Sequence, residues 1–139
     1  MALVTFILLG SLTWAADLEI LFPDVKIEKG GMAVAIFPKS EAKGFPDGAG
    51  YIRKVYKKPD GHSPFKIDIL DLAEGEYALS AFQDEDGDEM LARDWLGIPS
   101  EPFGFSNNPR IYFGAPSFRR SSFSVLPGKN QISVKVKVF

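Results

Sequence analysis

Apolar residues in this chain recur at every second position and are cut into short runs by glycine and proline. Met32, Val34 and Ile36 share one parity in "GGMAVAIF", Phe65, Ile67 and Ile69 in "PFKIDIL", and Ile132, Val134, Val136 and Val138 in "QISVKVKVF". Successive side chains of a strand point to opposite faces, so each run reads as a strand with one apolar and one polar face. "LEILF", "YIRKVYKK" from Tyr51, "GEYALSAF" and "SFRRSSFSV" from Ser117 bring the expected strands to about seven. Turn formers stand between them at Pro23, Gly30-Gly31, Pro46-Asp47-Gly48, Pro59-Asp60-Gly61, Gly75 and Pro127-Gly128. Only "DEMLARDWL" has the composition for a short helical turn. A sheet with one apolar face must bury it against another layer, and without helices that layer is a second sheet. The expectation is an all-β, antiparallel sandwich of immunoglobulin or transthyretin type.

"LAEGEY" adds a local signal. Leu72, Gly75 and Tyr77 have the spacing of a tyrosine corner, in which the phenol bonds backbone a few residues upstream and fixes the bend between strands; a plain hairpin followed by a core aromatic has the same pattern.

With 139 residues and 45% hydrophobic content, the chain is of a size and composition for one packed domain. No charged side chain precedes Asp17, and the apolar run from Ala2 to Leu12 is too short to span a bilayer. It has the length of a signal-peptide core, with Thr13 and Ala15 as the small residues before cleavage. Residues 1–15 are therefore expected to be a leader and 16–139 a secreted or periplasmic domain, without a transmembrane span. A net charge of −2 and no basic cluster longer than a pair argue against nucleic acid as a partner. The absence of cysteine excludes disulfides, thiol nucleophiles and thiolate metal sites.

The segment "FQDEDGDEMLARDWLGIPSEPFGFSNN", Phe82 to Asn108, carries the most chemistry. Hard cations such as Ca²⁺ take six to eight oxygens, and carboxylates at alternate positions of a tight loop converge on one point. Asp84, Asp86 and Asp88 have that alternation; Met90 would supply a backbone carbonyl, Leu91 would anchor the loop in the core, and Asp94 or Glu101 would close the shell. It is not an EF-hand, because Glu89 occupies the position that needs glycine and Trp95 the position of the closing carboxylate. A weak structural calcium site and a hydrogen-bonded acidic turn both remain open.

From "GEYALSAFQDEDGD" through "LGIPSEPFGFSNN" to "PSF" and "ISVKVKV", the chain resembles the bacterial exported family termed domain of unknown function 2141. The matching positions are Tyr77-Ala78, Asp84, Gly97-Ile98-Pro99, Glu101, Gly104 to Asn108 and Ser117-Phe118. The resemblance implies an exported β-sandwich and brings no accepted activity. The family pattern usually has a His-Asp pair and a later acid; here Gln83 stands at the histidine, Asp86 and Asp88 where asparagine is common, and Ala92 where an acid is usual.

"LGIPSEPFGFSNNPR" has no regular period, and a connection this long in a small domain is held down by its own side chains or is functional. Phe103 and Phe105 would cover an open end of the sandwich while Asn107 and Asn108 satisfy turn backbone; the alternative makes Trp95, Phe103, Phe105 and Tyr112 an aromatic platform for sugar rings or a protein partner. The single histidine, His62 in "PDGHSP", reads as an exposed turn residue. No phosphate-cradling loop is present, and a hydrolase would need a carboxylate pair across a cleft, which sequence cannot place. The chain is thus expected to be a non-catalytic module with a binding or accessory role at the envelope, serving an unknown envelope component or glycan.

Overall fold

The period-two pattern becomes eight strands in the computed structural model, which describes residues 15–25, 28, 30–58 and 60–138. They are β1 (Ala15–Phe22), β2 (Gly31–Pro38), β3 (Arg53–Lys57), β4 (Phe65–Ala73), β5 (Gly75–Asp84), β6 (Phe103–Phe105), β7 (Ser122–Val125) and β8 (Gly128–Ser133). A 3-10 helix at Lys39–Gly44 and one α-turn, α1 (Phe118–Ser121), complete the described elements. Of the expected leader, residues 1–14 lie outside the described residues, and Ala15 opens β1.

The strands form two sheets, in the orders β4-β1-β8 and β3-β2-β5-β6, with β7 also pairing β5. In β1, Ala16, Leu18, Ile20 and Phe22 are at most 1% exposed, as strict alternation demands. Phe65, Ile67 and Ile69 of β4 join them from one sheet, and Met32, Val34, Ile36, Leu79 and Ala81 from the other, in a single apolar core. Each of these side chains larger than alanine contributes about 1.5–3 kcal/mol by leaving water. At the turn from β4 to β5 the tyrosine corner is formed: the Tyr77 hydroxyl donates to the Ala73 carbonyl at 2.7 Å.

Four expectations need correction. The pairing is not antiparallel throughout, because β1 runs parallel to β8, with Ala16 opposite Gly128 and Leu21 opposite Ser133. Parallel neighbours need a crossover, and here nearly the whole chain serves as one. "SFRRSSFSV" is not one strand: Ser117 Oγ caps the amide of Arg120, α1 follows, and only Ser122–Val125 is extended. The break lets Phe118 enter a cluster on the outer face of the larger sheet while Phe123 and Val125 pack on the core. Third, β8 ends at Ser133 rather than running to Val138. Val134 stays fully buried, and Lys137 then exchanges two 3.0 Å backbone hydrogen bonds with Phe103, so the tail passes from one sheet to the other.

β2 differs from the half-buried strand expected. Its core face carries Met32, Val34 and Ile36, but Ala33 and Phe37 on the other face are buried too. On that outer face Phe37, Phe45, Ala78, Phe105 and Phe118 form a second apolar cluster.

Candidate functional site

Strand register decides what lies on the outer face of the larger sheet. Ala33 stands opposite Tyr56 of β3 and Phe82 of β5, and Phe82 opposite Phe103 of β6. In the next row Ala35 stands opposite Lys54 and Ser80, and Ser80 opposite Phe105. Ala33, Ala35 and Ser80 therefore form a low floor between taller neighbours. A trough of about 890 Å³ opens over it, rimmed by residues of the segments 46–51, 89–99 and 111–115. Ser80 Oγ donates to the Pro46 carbonyl at 3.0 Å and ties one rim to the floor.

The acidic loop leaves the end of β5 beside this trough. Asp84 is fully buried and accepts three hydrogen bonds: from Gly87 N on Oδ1 at 2.9 Å, and on Oδ2 from the Tyr56 hydroxyl at 2.7 Å and Glu89 N at 2.9 Å. Two glycines permit this. Gly30, at φ 66°, lies against the Asp84 carbonyl, and a Cβ on Gly31 would come within 2.7 Å of the Tyr56 ring. Tyr56 thus crosses a bare stretch of β2 to reach the carboxylate.

Ligand oxygens of Asp84, Asp86 and Asp88 all lie within 4.8 Å of one another. The electrostatics follow from this crowding. Burial works against the charged form of Asp84, but the Tyr56 hydroxyl and the amides of Glu89 and Gly87 outweigh it and hold its carboxyl below the ordinary value. Asp86 moves the other way: the Asp88 amide favours its charge, yet burial and the Asp84 and Asp88 carboxylates together raise it. Tyr56 is pushed up to about 12, first by its bond to Asp84, then by burial and the surrounding negative charge.

Asp86 Oδ1 accepts from Asp88 N at 3.1 Å and Asp88 Oδ1 from Met90 N at 2.8 Å, leaving their Oδ2 atoms for a cation. With the remaining lone pair of Asp84 Oδ1 that makes three side-chain oxygens, about half of what calcium takes. Asp94 and Glu101 stand outside this cluster. Asp94 Oδ1 accepts from Leu96 N and Ile98 N and closes its own turn. Glu101, buried at 4% exposure, accepts from Glu85 N at 2.8 Å and Ala92 N at 3.0 Å, stapling the two ends of the acidic loop. The Met90 side chain is exposed and lines the trough, as does Leu91. Glu89 takes φ 62° where glycine was wanted.

The aromatic set divides. Phe105 is buried and Phe103 half-buried in the second cluster; Tyr112 is exposed on the trough, and Trp95 is 90% exposed outside its lining. Asn107 and Asn108, both at positive φ, hold the following turn: Asn107 Nδ2 donates to the Arg120 carbonyl, and Asn108 donates to Ser133 O and accepts from Lys135 N. Ser106 Oγ accepts from Leu79 N and donates to the Ser121 carbonyl. The "GFSNN" residues thus act as fasteners. His62 lies in an exposed turn where its amide bonds Asp60.

Residues 20–133 match the family described as uncharacterized protein conserved in bacteria, domain of unknown function 2141. The chain belongs to that family. No curated protein and no solved structure matches it, and the immunoglobulin or transthyretin comparison stays an expectation drawn from the strand pattern. Within this family member, sequence reasoning missed the trough. The available signal was the pair Ala33 and Ala35 alternating with Met32, Val34 and Ile36, small residues where a solvent-facing strand would carry polar ones.

Proposed function

We propose that this chain is a non-catalytic binding module of the cell envelope, which takes its ligand in the trough over Ala33, Ala35 and Ser80. The observation that carries the reading is the trough itself, about 890 Å³ on the outer face of a sheet whose inner face already forms the core. Ligand sites are concave, mostly apolar clefts of roughly 300–1,000 Å³, and Tyr51, Met90, Ile98 and Tyr112 leave apolar surface exposed around this one. A floor of methyl groups suits an apolar ligand better than a sugar, which stacks on a flat aromatic face. Export is supported by the uncharged apolar run before Asp17.

A neutral apolar probe, N-phenylnaphthylamine, tests the site by its fluorescence gain. Binding is expected to be saturable and to be lost in Ala35→Phe, whose ring fills the floor without entering the core. Retention of full binding in that variant would reject the trough.

A second reading concerns the acidic loop, favoured by the convergence of Asp84, Asp86 and Asp88. It is a structural calcium site of about 10⁻⁴–10⁻³ M affinity, in which the ion relieves carboxylate repulsion and steadies the 89–99 rim. Millimolar Ca²⁺ should raise the melting midpoint above its value in EDTA; an unchanged midpoint rejects the site.

A further inference from the structure

The trough also carries information on what enters it, and the inference below rests on the binding reading just given. Nothing in the floor extends past Cβ or Oγ at Ala33, Ala35 and Ser80, so the body of the ligand meets apolar surface below and aromatic rings beside it. Four charged side chains line the trough: Asp47, Lys54, Glu89 and Arg93. Three belong to the rims, and the Arg93 guanidinium already donates to the Gly97 carbonyl at 3.0 Å.

Lys54 is different, because register places it directly opposite Ala35 in the floor row. Lys39, Lys57 and Lys66 each have a carboxylate partner. Lys54 has neither an ion pair nor a hydrogen bond among the described residues. An ammonium without an ion-pair partner at the edge of an apolar floor selects a molecule with an apolar body and one terminal anion, since a charge-assisted bond replaces water on both groups.

We propose that the trough binds a free single-chain anionic amphiphile, its chain along Ala33, Ala35 and Ser80 and its anionic end at Lys54. A long-chain carboxylate is the simplest such molecule.

The test titrates the intact protein with laurate below its micelle concentration, followed by calorimetry and by alanine methyl NMR signals. One-to-one binding with shifts at the Ala33 and Ala35 methyls is expected. Lys54→Glu should weaken laurate about five- to tenfold, the scale of one charge-assisted bond in a partly wet site, and change the uncharged N-phenylnaphthylamine by much less. Dodecyltrimethylammonium, with the same chain length and opposite charge, should bind the native protein more weakly than laurate and gain in Lys54→Glu. Lys54→Gln should fall between, with melting unchanged in both variants because Lys54 is exposed. Laurate affinity indifferent to Lys54→Glu would overturn the anion preference while N-phenylnaphthylamine binding kept the trough. Binding only to phosphatidylglycerol vesicles and not to monomeric laurate would overturn it in favour of a membrane surface. Neutral-probe binding that survives Ala35→Phe would remove the site on which the proposal rests.

Discussion

Replacing Asp84 by asparagine tests whether the acidic loop is organised around one buried carboxylate. The amide has nearly the same shape but only one acceptor oxygen, so it can satisfy either Gly87 N or the pair formed by Tyr56 and Glu89 N. In the better orientation one bond to a charged acceptor is lost, at roughly 1.5–3 kcal/mol, and two others become neutral bonds worth about 1 kcal/mol less each. Removing a buried charge returns part of this. A net loss of about 2–3 kcal/mol is expected, or a fall in melting midpoint of roughly 8–12 °C for a domain of this size. The assay is thermal and urea unfolding in EDTA at pH 7, with Tyr56→Phe and the double variant completing a cycle. Because Tyr56 and Asp84 share a bond, the two losses should be sub-additive by more than about 0.5 kcal/mol. The pH dependence has a defined sign. The Asp84 carboxyl is held below its ordinary value, so its contribution is present above the unfolded value near pH 4 and disappears as pH falls through the lower folded value. The gap between native protein and Asp84→Asn should close in that acid range. Strict additivity, or a midpoint within about 2 °C of native, would refute the reasoning.

Asp86→Asn should act in the opposite sense. The Asp86 carboxyl is raised, so its ionised form opposes folding at neutral pH, and the variant should melt higher than native protein in EDTA yet gain less from millimolar calcium. Absorbance titration at 295 nm should show one tyrosine ionising near 12; as its folded value is raised, Tyr56 favours the native state fully below pH ~10 and progressively less between ~10 and ~12. In Tyr77→Phe the Ala73 carbonyl loses its 2.7 Å donor, and urea unfolding should show a loss of about 1–1.5 kcal/mol with the probe-binding constant unchanged.

Much of the fold was legible because a strand buried on one face writes its period into the sequence. The core positions of Met32, Val34, Ile36, Phe65, Ile67 and Ile69 follow from parity alone, and those of Leu72, Gly75 and Tyr77 from the spacing of the corner. β2 was half legible, since its core face follows the same rule while Ala33 and Ala35 look neutral until register sets them beside Phe82 and Ser80. Of the site, the convergence of Asp84, Asp86 and Asp88 is local and could be read from alternation. The roles of Glu101 and Tyr56 could not, because each reaches the loop from a distant part of the chain: Glu101 sits 16 residues beyond the amide of Glu85, and Tyr56 28 residues before Asp84. Ser117 was missed for a related reason. Its capping bond is visible as a sequence pattern only once the break in alternation at Phe118 is known.

In the smaller sheet the first described strand is central, and one of its two neighbours is the last. Asp17 O receives a bond from Asn130 Nδ2 across 113 positions. A ribosome therefore releases β1 long before the partner that completes its hydrogen bonding exists, and loop closure over that distance is slow. Closure of the smaller sheet must wait until β8 has been made, so β1 keeps one edge unpaired while more than a hundred further residues are synthesised.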